Sequence, residues 1–149
     1  MSSARPSSAP SDTAADTASS APRQVTILLF SDNYETRDAV RAAVGRRPAR
    51  DVEVVGWHEC ATGPAVVTEV EQGDFDLLIL DGESAPVGGL GLTRQLKNEV
   101  FNCPPVLVLT GRPQDGWLAA WSQAEAAVPH PLDPIVLANT VADLARRAR

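Results

Sequence analysis

Three stretches of this chain are apolar at successive positions instead of alternate ones: "VTILLF" (25–30), "FDLLIL" (75–80) and "PVLVLT" (105–110). A strand with one wet face alternates apolar and polar side chains. A strand without that alternation is covered on both faces, as in a parallel sheet between two helical layers. Amphipathic segments with helix signals separate the strands. "SDNYETRDAVRAAVG" opens on cap-type residues and closes on Gly45. "TGPAVVTEVEQG" carries Pro64 in its first turn and Gly73 at its stop. "DVEVVGW" (51–57) is a further strand, "LGLTRQLKNEV" a third helix, and "PQDGWLAAWSQAE" a fourth, weakened by Gly116. "AAVP" (126–129) is a short fifth strand, where Pro129 removes a ladder donor and so belongs at a sheet edge. "DPIVLANTVADLARRA" is the last helix, with Asp133 as N-cap and Pro134 at its first position.

Five strand–helix units predict a doubly wound, five-stranded α/β fold of the flavodoxin-like type. In such sheets ligands sit at the carboxyl ends of the strands. The residues that follow the strands are Ser31, Asp32, Asp81, Gly82, Glu83, Thr110, Gly111 and His130. Asp81 stands out, because four apolar residues run directly into it.

Composition narrows the function classes. With 149 residues, 44% of them apolar, the chain is long enough for one domain with a real core. Residues 1–23 are rich in Ser, Ala, Pro and Thr and are expected to form a disordered tail, leaving 24–149 as the domain. No apolar stretch approaches the length of a signal-peptide core or a membrane span, so a soluble, cytoplasmic protein with no membrane partner is expected. The formal charge is −6, and the basic residues are scattered except for the terminal "RRAR", which argues against a nucleic-acid-binding face. Cys60 and Cys103 stand far apart without a C-x-x-C pattern, so neither a zinc site nor a disulfide framework is indicated. His58, beside Trp57, is expected at the surface.

An acid after strand one, an aspartate ending strand three, a Thr-Gly ending strand four and an X-Pro after strand five occur here in that order. Over about residues 24–147 the chain thereby resembles the receiver domains of response regulators, through "ILLFSDN", "DLLILDGESAPVGGLGLTRQL", "PVLVLTGR" and "VPHPLDP". The resemblance implies strand order 2-1-3-4-5 and a cis peptide between His130 and Pro131. It implies that Asp81 is the phospho-acceptor, a carboxylate that attacks a phosphoryl group carried by a histidine kinase or a small phosphodonor. Asp32, Asp81 and the backbone carbonyl of Glu83 would be ligands of Mg²⁺. Thr110 would bond the incoming phosphoryl oxygen, and Gly111 would leave the approach open.

Three departures weaken that implication. The family has two adjacent acids after strand one, and here the first is Ser31, so Mg²⁺ binding is expected to be weak. The family's lysine after strand five is replaced by His130, and histidine, with an ordinary pKa of about 6.5, is mostly neutral at pH 7. Lys97, on the third helix, cannot substitute. Ala127 stands where an aromatic ring often reports phosphorylation.

The expected function is an atypical single-domain response regulator, not an enzyme, that acts through protein contacts; a conventional phosphorylation switch at Asp81 is the alternative. Trp117 and Trp121, one helical turn apart, are a candidate partner surface for a kinase, an effector or a second copy in a homodimer; core packing is the competing assignment. A flavodoxin-like cofactor binder would need a glycine-rich phosphate loop after strand one. "SDNYET" offers an acid and no glycine, and "GLGLTR" follows the wrong strand for a dinucleotide fingerprint.

Overall fold

The computed structural model describes residues 21–84, 88–112 and 116–147. Residues 1–20, most of the expected tail, lie outside them. Strand β1 (Arg23–Phe30) leads through α1 (Tyr34–Val44) to β2 (Val52–Cys60), and α2 (Gly63–Gln72) leads to β3 (Leu77–Asp81). Then follow α3 (Gly89–Glu99), β4 (Val106–Thr110), α4 (Gly116–Ser122), β5 (Ala126–Pro129) and α5 (Pro134–Arg147). The five strands form one parallel sheet in the order β2-β1-β3-β4-β5.

The unbroken apolar runs have a direct explanation in the two cores. Ile27, Leu29, Leu77, Ile79, Leu107 and Leu109 point into the layer covered by α1 and α5, with Val40, Val44, Leu137 and Val141. Leu28, Phe30, Leu78, Leu80, Val106 and Val108 point into the opposite layer, with Val66, Val70, Leu92 and Leu96. Period-two side chains that are apolar on both faces need both faces dry. Pro129 lies on the edge strand β5, opposite Thr110.

Several boundaries differ from the expected ones for local reasons. The first strand begins at Arg23, inside the span expected as tail, because the Arg23 N–H donates to the Asp51 carbonyl at 2.8 Å. The second strand continues to Cys60, paired with Phe30. A register shift between Val25 and Thr26 marks an irregularity in that pairing. Asp81 is the last residue of β3, not the first after it. The fourth helix stops at Ser122, short of the expected Glu125, because the Ser122 hydroxyl donates to the Ala119 carbonyl at 2.7 Å and Gln123 turns left-handed at φ 72°. The expected start of that helix, residues 113–115, lies outside the described residues, as does part of the β3–α3 loop, 85–87.

The N-cap of α1 is Asn33, whose side chain accepts from the Glu35 N–H at 2.8 Å. The expected cap Asp133 does close α5, accepting from the N–H groups of Ile135 and Val136 at 2.9 and 3.2 Å.

Candidate functional site at the carboxyl ends of the strands

The start of α3 packs closely against the end of β3 and the residue after it. A Cβ on Gly89 would lie 2.7 Å from the Asp81 carbonyl oxygen, and one on Gly88 would lie 2.7 Å from that of Gly82. Only glycine permits that approach. Asp81 is buried at 3% exposure, yet it borders a hollow of about 220 Å³ lined by Asp32, Asn33, Thr36, Asp81, Glu83, Gly111 and His130. Larger grooves lie elsewhere on the molecule, but here residues that follow four separate strands converge.

Both oxygens of Asp81 carry internal hydrogen bonds. The Ser31 hydroxyl donates to Oδ2 at 2.8 Å, and the Glu83 N–H donates to Oδ1 at 3.0 Å. Ser31, fully buried where the family has an acid, therefore holds the carboxylate instead of repelling it. The same hydroxyl accepts from the Asn33 N–H at 3.1 Å, which ties the start of α1 to Asp81. His130 approaches from β5: Nε2 is 3.5 Å from Asp81 Oδ1, shielded from solvent and without a hydrogen bond. Its N–H donates to the Thr110 carbonyl at 2.8 Å, and its bond to Pro131 is cis, as expected.

Of the expected site residues, Asp32, Asp81, Glu83 and His130 share the hollow. Thr110 is buried at the end of β4, in register with Pro129, and does not line the hollow. Gly111 does not leave an open approach: a Cβ there would meet the Glu83 carboxylate at 2.6 Å, so that side chain fills the space. Lys97 is far from the site, paired with Glu125 at 2.7 Å and reaching the Pro104 carbonyl, both at the amino ends of the strands.

Trp117 and Trp121 are exposed at 66% and 47%, so core packing is not their role. Arg94 of α3 places its guanidinium 4.7 Å from the centre of the Trp121 ring and donates to the Trp121 carbonyl at 2.6 Å. Ala127 is exposed on β5. His58 is a surface residue, 3.4 Å from Glu69 and tilted against the Phe75 ring. Burial pushes the Cys60 thiol up to about 11, with Glu69 adding to the shift and Arg37 opposing it. Burial also raises the Cys103 thiol, so neither is an activated nucleophile.

Two parts of the site carry no local signal in the sequence. Ser84, buried, accepts from the Asp32 N–H at 2.9 Å and so fixes the loop after β1 from the loop after β3. Arg37 donates to the Ser31 carbonyl at 2.6 Å and to Glu59 at 2.9 Å, while Arg41 reaches the same carboxylate at 2.6 Å. Burial alone would raise the Glu59 carboxyl, but the bonds from Arg37 and Arg41 outweigh it and hold it below its ordinary value.

Among the described residues no group of three or more His, Cys, Asp or Glu side chains is placed to hold a metal ion. Asp32 and Asp81 border the hollow, and the Glu83 carboxylate is turned onto Gly111.

The architecture defines a class. The chain superposes on the receiver domain of a Francisella response regulator with a TM-score of 0.70 at 14% identity, covering 83% of this chain and 98% of that one. A chemotaxis response regulator of Vibrio cholerae gives 0.66 at 18% identity, covering 81% of this chain and 98% of that one. The likeness in sequence is closer to a response regulatory protein of Mycobacterium tuberculosis, known from two strains, at 56% identity over 120 residues, 80% of this chain and 90% of that protein. No protein-family model matches the chain. The chain belongs to the response regulators, and its fold is that of their receiver domains. Among the described residues no helix is long and apolar enough to cross a membrane.

Proposed function

We propose that this receiver is an atypical one that signals through protein contacts without enzymatic turnover, its pocket held in one arrangement by its own hydrogen bonds. The observation that carries this reading is the 2.8 Å bond from Ser31 to Asp81. A family acid at that position would bring a second negative charge and a cation to balance it. Serine supplies a neutral donor, so the carboxylate is satisfied without a metal. The Glu83 carboxylate on Gly111 adds a negative charge where a phosphoryl group would arrive. Among the described residues that line the hollow, neither lysine nor arginine is present to receive it. The exposed pair Trp117 and Trp121 supports a protein partner on α4, a kinase or a downstream effector, because aromatic anchors dominate interface energetics.

The phosphorylation switch is the second reading, favoured by the retention of Asp81 and Asp32 around one hollow and of Thr110, buried at the end of β4. In that reading Asp32, Asp81 and the Glu83 carbonyl would hold Mg²⁺, which would neutralise charge on the incoming phosphoryl group.

Titration with beryllofluoride and MgCl2, followed by amide NMR, separates the two. The adapter reading expects no saturable shift of Asp81 and its neighbours in the native chain. Saturable, Mg²⁺-dependent shifts there would establish the switch. Ser31→Asp combined with His130→Lys is expected to create such binding where the native chain lacks it.

A further inference from the structure

We propose that the end of the sheet opposite Asp81 is a self-association surface, on which two copies of this chain pair about a two-fold axis. In a parallel sheet with helical crossovers, every helix-to-strand loop lies at the amino ends of the strands. The α2–β3, α3–β4 and α1–β2 loops and the end of α5 therefore gather at one end of the molecule.

One half of that end is acidic and aromatic. Phe101 is 90% exposed on a turn in which Asn102 adopts a left-handed φ of 57°. It stands over a groove of about 420 Å³ whose walls include Val70, Phe75 and Val100, with Glu71, Asp74 and Glu99 along them. A ring this exposed contributes nothing to its own domain's core.

The other half is basic and is continuous with the first. A second hollow shares Phe75, Asn102 and Pro104 with the groove and is bordered by Arg147; its two acids are already engaged, Asp76 accepting from the Thr26 N–H and Glu125 pairing with Lys97. Arg146 donates twice to Asp51, at 2.8 Å each, which joins the end of α5 to the α1–β2 loop. That loop exposes Arg47 and Arg50. Among the described residues Glu71, Asp74, Arg47, Arg50 and Arg147 make no ion pair.

A two-fold interface is self-complementary, so each half of one copy meets the other half of its partner, twice. The charges here are arranged for that pairing: an acidic rim around an aromatic anchor, next to a strip of arginines. The complement to the acidic groove is present on this same chain, which is why the occupant is a second copy. Complementary charge sets the register, and the ring supplies the apolar anchor.

The test is sedimentation velocity of the full chain from micromolar to millimolar concentration, at low and high salt. A dimer that weakens with salt is expected. Phe101→Ser, the pair Glu71→Arg with Asp74→Arg, and the pair Arg47→Glu with Arg50→Glu should each raise the dimer Kd at least about tenfold. All five positions are exposed, so circular dichroism should show an unchanged fold. Mixing the two charge-reversed proteins should restore association as a mixed dimer, because one contact then pairs the two reversed halves and the other the two native halves, both attractive. A monomer throughout, no recovery on mixing, or a dimer indifferent to these changes and lost with Trp117→Ala and Trp121→Ala would each overturn the proposal.

Discussion

The two walls of the pocket are built from the same kind of strand end but are held in different ways. On the β1–β3 wall, the Ser31 hydroxyl, the Glu83 N–H, Ser84 and the Arg37 guanidinium form a closed set of bonds around Asp81 and the loop after β1. On the β4–β5 wall the His130 backbone N–H donates to Thr110, its Nε2 makes no bond, and the end of the Glu83 side chain lies over Gly111. The contrast teaches that polar groups buried together specify one arrangement, whereas a single tether leaves the wall adaptable. In this receiver the Asp81 side is the specified one and the His130 side is the adaptable one.

The largest expected effect tests the walls through their glycines. In Gly89→Ala the new methyl would lie 2.7 Å from the Asp81 carbonyl oxygen, a backbone atom that cannot yield, and the cost is about 3 kcal/mol in urea denaturation. Gly111→Ala meets the Glu83 carboxylate at a similar distance, but that group can swing away, and the cost should stay below about 1 kcal/mol. Equal costs would break the comparison.

Next in size is Arg37→Ala, which removes the bonds to the Ser31 carbonyl and Glu59 and should destabilise by about 2 kcal/mol. Arg41→Ala removes a more exposed pair, and less than about 1 kcal/mol is expected from the same denaturation curves.

Ser31→Ala sharpens the contrast at the carboxylate itself. It leaves Asp81 Oδ2 without its donor and should cost about 1.5 kcal/mol, measured by thermal or chemical unfolding. His130→Gln removes no side-chain hydrogen bond, and its effect should be within about 0.5 kcal/mol. A larger loss for His130→Gln than for Ser31→Ala would reverse the assignment of the two walls.

The smallest effect lies outside both walls and serves as their reference. The bond from Arg146, with its charge, holds the Asp51 carboxyl down to about 2 from an ordinary 3.8, against the opposing effect of burial. The stabilisation from this lowered value is therefore complete above about pH 4 and is lost as pH falls through about 2. Asp51→Asn should flatten that part of the acid-unfolding curve by lowering stability slightly above about pH 4, a small loss because the pair is exposed, and by leaving it unchanged below about pH 2. An unaltered acid limb would remove the pair from the account.

Much of the site could be located before any coordinates. Asp81, Asp32, Thr110 and His130 were legible because each follows or ends a strand, and the ends of parallel strands meet by topology. Ser84 and Arg37 were not, since the value of each depends on a partner distant in sequence: Asp32, 52 residues from Ser84, and Glu59, 22 residues from Arg37. The space above Gly111 was misjudged for a related reason. A missing side chain marks where room could exist, and only the fold shows that Glu83 takes it.

By itself, the order of apolar runs determined the parallel sheet with two covered faces, because backbone pairing and side-chain alternation leave such runs no other way to be dry. The helix stops at Gly45 and Gly73 and the cap at Asp133 are equally local, set by backbone conformation and by short-range hydrogen bonds. Only the tertiary structure decided what Ser31 does in the place of an acid and whether Trp117 and Trp121 face the core or the solvent. Those outcomes depend on distance between residues far apart in the chain, and electrostatic and packing energies are functions of that distance, which no local pattern encodes.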